Sequence, residues 1–174
     1  LSKSSTLERN NALTKIAQAI TLGCDEIISA NEIDIKNAKE NGIADAMLDR
    51  LMLNEARVKS LSEAIMHVVS LPDPIGAGST FTRPNGLKIE CVSVPLGVVA
   101  MIYEARPNVT PDAASLCLKS GNAVVLRGGK EAINSNKAFV KVIGNSLESL
   151  GYDRRAVSLI ENTTRDSANA LMGM

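Results

Sequence analysis

Residues 97–114, "GVVAMIYEARPNVTPDAA", run from an apolar segment into an abrupt polar corner at Glu104, Arg106, Pro107 and Asn108. An asparagine amide can donate a hydrogen bond to a developing oxyanion. Asn108 stands just ahead of Thr110-Pro111-Asp112, which reads as a helix start: a cap, a proline at the first helical position, and an acid near the positive helix end. Backbone donors at such a terminus favour anions. Arg106 could pair a carboxylate or a phosphate through its planar fork. Glu104 and Asp112 are possible acid–base partners, although Asp112 is better explained as a helix-start acid. A plainer reading stands beside the chemical one: Pro107 shapes a turn, Asn108 makes a local hydrogen bond, and Arg106 is solvated. Spacing alone favours that plainer reading.

A second place meets the rule that open α/β sheets bind ligands beyond the carboxyl ends of their strands. It is the loop Arg127-Gly128-Gly129-Lys130-Glu131, in which two glycines let a ligand approach the backbone and two cations could meet a nucleotide phosphate. The run is neither G-x-G-x-x-G nor a Walker P-loop, so a simple strand-to-helix turn explains it as well. The cysteines offer less. Cys24, Cys91 and Cys117 are far apart, with no C-x-x-C and no basic neighbour that would make a thiolate. All three read as structural. His67, the one histidine, falls inside a helix, and no Cys/His cluster with zinc spacing appears.

These corners need elements to position them. Ser5-x-x-Glu8 is a capping-box pattern, followed by Leu13, Ile16, Ala17 and Ile20 at helical spacing. Gly23 interrupts, a second helix runs to about Glu40, and Asn41-Gly42 supplies a left-handed stop. Asn54 caps a further helix carrying Val58, Leu61, Ile65 and Val69, which "LPDPIG" ends. Leu87, Ile89 and Cys91 alternate with Lys88 and Glu90, the pattern of a half-buried strand, so 79–82 and 87–94 read as a hairpin-like arm across the turn "RPNG". "GVVAMIY" reads as a central parallel strand covered on both faces. The helix after it ends at Ser120-Gly121, and "AVVL" (123–126) is a second strand. Ile133, Phe139, Val140, Ile143, Leu147 and Leu150 mark a long helix stopped by Gly151. "AVSLI" (156–160) is a third strand, and Thr163 or Thr164 caps a last helix. Alternating strands and helices with short connections are half of a doubly wound sheet. Three such strands make only part of one. The rest is expected from further residues of a longer protein or, as the less favoured alternative, from a partner.

The composition sets bounds. The chain has 174 residues, 45% hydrophobic and 22% charged, with no net charge. This is the balance of one globular domain of ordinary size. Aromatic residues are 2%, so the core is built from Ala, Leu, Ile and Val, which suits helices on a sheet. Lys and Arg are scattered among acids rather than gathered into the basic face that nucleic acid requires. No apolar run is long enough to span a bilayer, and the N-terminus carries no secretory apolar region. A reducing cytoplasm fits the cysteine usage.

The run "VPLGVVAMIYEARPNVTPDAASLCLKSGNAVVLRGGKEAINSNKA", with "ANEIDIKNAKENGIADAMLDRLMLNEARV" and "STFTRPNGLKIECVSVP", resembles the γ-glutamyl phosphate reductases, or glutamate-5-semialdehyde dehydrogenases, of proline biosynthesis. The likeness extends over essentially the whole chain and corresponds to the N-terminal part of such an enzyme. It implies an aldehyde dehydrogenase-like α/β fold: an N-terminal helical part of the cofactor-binding domain (1–78), a β-arm for oligomerisation (79–94), and a partial Rossmann-like nucleotide-binding unit (95–174), with the catalytic domain outside this chain. It implies NADPH-dependent reduction of γ-glutamyl phosphate to glutamate 5-semialdehyde and phosphate through a cysteine thioester. Asn108 would be the oxyanion donor, Arg127, Gly128, Gly129, Lys130 and Glu131 the cofactor loop, and Arg106 a contact to substrate charge. A homo-oligomer and a functional link to glutamate 5-kinase are implied as well. None of the three cysteines corresponds to the family's catalytic one, so the chain alone is expected to be inactive. A non-catalytic nucleotide-binding or oligomerisation module is the alternative.

Overall fold

A computed structural model describes residues 1–173. Four helices come first: α1 (Thr6–Leu22), α2 (Cys24–Glu40), α3 (Asp45–Leu51) and α4 (Glu55–Ser70). A two-stranded antiparallel hairpin follows, β1 (Gly78–Thr82) and β2 (Lys88–Val92). The remainder alternates as β3 (Val98–Ile102), α5 (Val109–Lys119), β4 (Ala123–Arg127), α6 (Ile133–Ser149), β5 (Val157–Leu159) and α7 (Arg165–Met172), with a 3-10 turn ahead of α6 and another ahead of β5. Strands β3, β4 and β5 form a parallel sheet in that order.

The helix ends follow local chemistry. Ser5 and Glu8 close a reciprocal capping box on α1, with the Ser5 N–H donating to Glu8 Oε2 at 2.6 Å and the Glu8 N–H to Ser5 Oγ at 3.2 Å. Asn54 Oδ1 accepts from the Arg57 N–H at 2.8 Å at the head of α4. Gly42, with φ of 69°, takes the left-handed turn after α2 that a side chain would strain. Helix α3, in the stretch that periodicity left unassigned, has only seven residues and one buried side chain, Leu51. That is too short to show a helical repeat.

The core lies between the sheet and the helices. Leu13, Ile16 and Ile20 of α1, Ile27 of α2, Val58 and Ile65 of α4, and Phe139, Ile143 and Leu147 of α6 are essentially inaccessible. Val124, Leu126 and Val157 meet them from the sheet. Buried polar side chains are used as ties. The Asp34 carboxylate of α2 accepts from the Ser135 N–H (2.8 Å), the Ser135 hydroxyl (2.6 Å) and the Asn134 side-chain amide (2.8 Å), and so caps α6 from outside it. Asn31 accepts from the Leu53 N–H at 2.7 Å and donates to the Leu51 carbonyl at 2.8 Å, which fixes the bend between α3 and α4. Arg9 is buried and donates to the Lys119 carbonyl at 3.1 Å and to Asp73 at 2.5 Å.

Three expectations are corrected. The strand Val98–Ile102 is covered on one face only: Val99 and Met101 pack on the core, while Val98 is 66% and Ile102 43% exposed. Two successive right-handed crossovers place both connecting helices, α5 and α6, on the same side of the sheet. The hairpin is exposed rather than half-buried; Cys91 is exposed and only Ile89 is partly covered. Its alternation reflects the pleat, but no other element among the described residues supplies a covering layer. Thr110 is not the cap of α5. The helix begins two residues earlier, at Val109, and Thr110 is buried inside its first turn. At α7 the N-cap is Thr164, but its side chain makes no capping bond.

Candidate functional site

The corner grows directly out of β3. The Tyr103 N–H still pairs with the Arg127 carbonyl at 3.0 Å, and the chain then turns sharply, with the Arg106 N–H returning to the Glu104 carbonyl at 2.8 Å. Val109 and Asp112 donate to the carbonyls of Arg106 (3.1 Å) and Asn108 (3.3 Å), so helical bonding begins within the corner itself. Asn108 stands at the N-cap position in a helical conformation and makes no side-chain capping bond. Its amide reaches only Asp112 Oδ2, at a long 3.4 Å. It is therefore half-buried, oriented, and not consumed by the turn.

Beneath the corner lies a closed polar relay. The Tyr103 hydroxyl meets Thr110 Oγ1 at 2.6 Å, and Thr110 Oγ1 donates to Asn136 Oδ1 at 2.8 Å, which leaves the phenol as donor to Thr110. Thr110 and Asn136 are wholly inaccessible, so the relay pins the end of β3, the first turn of α5 and the first turn of α6 to one another. Burial pushes the Tyr103 phenol up, opposed by its bond to Thr110. Burial likewise pushes the Asp112 carboxyl up, opposed by the bond from Asn108.

The second loop packs against the first. A Cβ on Gly128 would stand 2.3 Å from Asn136 Nδ2 and 3.0 Å from the Tyr103 ring, and one on Gly129 would stand 3.0 Å from the Ala105 nitrogen. Arg127 does not project outward. Its guanidinium donates to the carbonyls of Thr163 (2.5 Å), Thr164 (2.9 Å) and Gly128 (3.2 Å), tying β4 to the start of α7. Arg127 Nε and Asn136 Nδ2 are buried without a partner among the described residues. Lys130 is exposed.

Two clefts open at this end of the sheet. One, of about 350 Å³, is bordered by Tyr103, Glu104, Arg106, Arg127, Gly129 and Glu131. The other, of about 400 Å³, is bordered by Asn108, Arg106, Arg50, Arg57, Ser60 and Leu61. The sequence-derived candidates thus divide: the glycine loop faces one cleft, Asn108 faces the other, and Arg106 borders both. Gly128 and Lys130 line neither. Arg50, which also borders both clefts, and Arg57 escaped sequence reasoning. The available signal was a seven-residue helix with an acid in its first turn and an arginine in its last, directly before the Asn54 cap. None of the cysteines borders either cleft. Burial pushes the Cys24 and Cys117 thiols up, Cys24 with help from Glu55 and Asp25, so nothing there favours a thiolate. No described helix is long and apolar enough to cross a membrane.

Comparison with known proteins bears on this arrangement. No family model matches the chain. A gamma-glutamyl phosphate reductase of Clostridium perfringens (strain SM101 / Type A) is 54% identical over 173 residues, covering 99% of this chain and 42% of that protein. One of Bacillus anthracis is 52% identical over 171 residues, covering 98% and 41%. Among solved structures, the gamma-glutamyl phosphate reductase of Thermotoga maritima superposes with a TM-score of 0.93 at 40% identity, over 98% of this chain and 42% of that one. That of Saccharomyces cerevisiae gives 0.87 at 33% identity, over 95% and 43%. A probable aldehyde dehydrogenase of Listeria monocytogenes, 19% identical with a TM-score of 0.74, shares the fold. In sequence and in fold the chain is similar to the N-terminal part of gamma-glutamyl phosphate reductases, with an aldehyde dehydrogenase-like architecture. It spans 42% of the first of these relatives.

Proposed function

We propose that the protein reduces γ-glutamyl phosphate to glutamate 5-semialdehyde and phosphate with NADPH, in proline biosynthesis, and that this chain supplies the oxyanion-stabilising corner and part of the cofactor site. The observation that carries the reading is Asn108: an amide held at a helix start, on a cleft wall, whose donor is not spent on capping. Identity of 54% across 99% of the chain supports it.

In this reaction a cysteine thiolate attacks the acyl carbon, the C–O bond to phosphate breaks, and phosphate leaves. A bound reduced nicotinamide would supply the hydride for the thioester carbon, with the C–S bond breaking to return thiolate and release the aldehyde. Both steps place negative charge on the carbonyl oxygen, where a preorganised donor is most effective. Asn108 is proposed as that donor, with the thiolate coming from outside the 174 residues. Arg106 is proposed to meet substrate charge.

The cleft bordered by Tyr103, Gly129 and Glu131 is proposed to take part of a dinucleotide. It lies at the carboxyl ends of β3 and β4, where such ligands bind, and the close-packed Gly128-Gly129 pair keeps the loop backbone low. With both terminal nitrogens of Arg127 held by carbonyls, the exposed Lys130, outside the cleft itself, is the freer cation for a 2′-phosphate, and Glu131 completes the loop. The exposed hairpin is proposed as the oligomerisation arm. The proposed substrate is an acyl phosphate, the product of a kinase acting on glutamate, hence the proposed link to glutamate 5-kinase.

The test is the reverse reaction of the complete gene product: glutamate 5-semialdehyde, phosphate and NADP⁺ should yield NADPH, faster than with NAD⁺. The 174-residue chain alone should yield none. Failure of the complete product to turn over would sink the reading, and a preference for NAD⁺ would sink its cofactor half.

A further inference from the structure

The cleft beside Asn108 is bordered by three arginines, Arg50, Arg57 and Arg106, and by a single carboxylate, Asp49. Cations gathered around one space favour an anion placed between them. Arg57 is accounted for. Its guanidinium donates to Asp49 Oδ1 at 2.9 Å, to the Met52 carbonyl at 2.7 Å and to the Asp49 carbonyl. That bonding spends Asp49 and reinforces the bend that Asn31 fixes between α3 and α4. Arg50 and Arg106 are exposed and have no ion-pair partner and no side-chain hydrogen bond among the described residues, so two guanidiniums on this cleft are free to meet a ligand. The backbone that carries Arg50 is nonetheless fixed: the next residue, Leu51, is buried, and its carbonyl accepts from the buried Asn31. Arg106 is fixed in turn by the bond from its N–H to the Glu104 carbonyl.

We infer that Arg50 and Arg106 form the subsite for an oxyanion of the substrate, next to the amide that stabilises the reacting carbonyl. The inference rests on the function proposed above. γ-Glutamyl phosphate carries an oxyanion at each end, the phosphoryl group at the reacting carbon and the α-carboxylate at the other. Planar guanidinium forks match either one in a way that a lysine ammonium does not. Arg50 therefore takes part in substrate selection from α3, a helix remote in sequence from the corner it serves.

The experiment uses the complete gene product in the reverse direction, where semialdehyde and phosphate are separate substrates. Arg50→Ala and Arg106→Ala should each raise the KM for one of these two anions by about tenfold or more, as loss of a charge-assisted hydrogen bond predicts, with a smaller change in kcat and none in the KM for NADP⁺. A rise in the phosphate KM assigns the pair to the phosphoryl group, and a rise in the semialdehyde KM assigns it to the α-carboxylate. Arg50→Lys and Arg106→Lys keep the charge and should raise the same KM by a smaller factor, which gives a reading even if an alanine variant misfolds. Both anion KM values staying within about twofold of the parent's in all four variants would overturn the inference, given the size of such contacts. A rise confined to the KM for NADP⁺ would overturn it as well, by moving the pair to the cofactor side. If the parent itself shows no turnover, the proposed function falls first and the inference falls with it.

Discussion

The corner after β3 and the loop after β4 occupy equivalent places, at the carboxyl ends of adjacent parallel strands, yet they are built in opposite ways. In the corner, Asn108 and Arg106 are left without strong partners, and the bonding is done by the backbone and by the relay below. In the loop, Arg127 is bound to three carbonyls and Gly128 is pressed against the Asn136 amide. Position in the fold is thus not enough to assign a role. A side chain that can act on a ligand is one whose backbone is fixed and whose polar end is not already spent. By that criterion the corner leaves polar ends free for a ligand, whereas Arg127 and Gly128 of the loop serve chiefly its shape.

If so, substitutions in the two regions should separate activity from stability. The largest effect is expected for Asn108→Ala in the complete gene product. Removing one oxyanion donor costs on the order of 10²–10³ in kcat, while unfolding in urea should be nearly unchanged, because the amide makes only the 3.4 Å contact to Asp112. A variant with full kcat would place the oxyanion elsewhere and dissolve the distinction. Gly128→Ala should do the reverse. A Cβ 2.3 Å from Asn136 Nδ2 forces the loop or the amide to move, and overpacking of this kind costs about 1–3 kcal/mol. The urea midpoint of the 174-residue chain should fall accordingly, and an unchanged midpoint would show that the two loops are not wedged together. Thr110→Val tests the relay that supports both regions. It leaves the Tyr103 hydroxyl and Asn136 Oδ1 without their shared partner, at about 1–3 kcal/mol for groups left unsatisfied. In the complete protein its kcat should fall less than that of Asn108→Ala.

The elements were legible where a local pattern decides them. Ser5 and Glu8, Asn54, Gly42 and the apolar spacing of α1, α4 and α6 each carry their own signal. What depends on a distant surface was not. Periodicity marked Val98–Ile102 as a strand apolar on both faces, but which face is covered depends on where α5 and α6 pass. Thr110-Pro111-Asp112 has the composition of a cap, yet the Thr110 hydroxyl is taken by Tyr103 and Asn136, residues on other elements, and the helix starts earlier. Asn108 and Arg106 could be singled out because they sit in a short run with turn chemistry. Arg50 and Arg57 could not, since their place on the same cleft is created by the Asn31 tie, which joins residues about twenty positions apart. Nothing in the spacing prefers Lys130 over Arg127 as the freer cation; that preference comes from the carbonyls of Thr163 and Thr164.

The smallest expected effect lies inside the corner and sharpens the account of why it is left poorly bonded. The Asp112 carboxyl is raised by burial, opposed by the bond from Asn108. A carboxylate whose folded-state value lies above its unfolded one binds more protons when folded, so stability falls as pH rises from the unfolded value through the folded one. Asp112 therefore weakens the fold at neutral pH and does not do so once both states are protonated. Asp112→Asn removes the charge and keeps the size. Its thermal midpoint should exceed the parent's slightly near neutral pH, and the difference should vanish as the pH falls below about 3, where an ordinary aspartate is protonated. A difference that persists in acid would mean that the new amide bonds to Asn108 directly and that charge is not the cause. A loss of stability near neutral pH would mean that attraction between the carboxylate and the positive end of α5 outweighs the cost of burial. The corner would then be tuned by the helix rather than strained against it, and Asn108 would owe its orientation to that attraction.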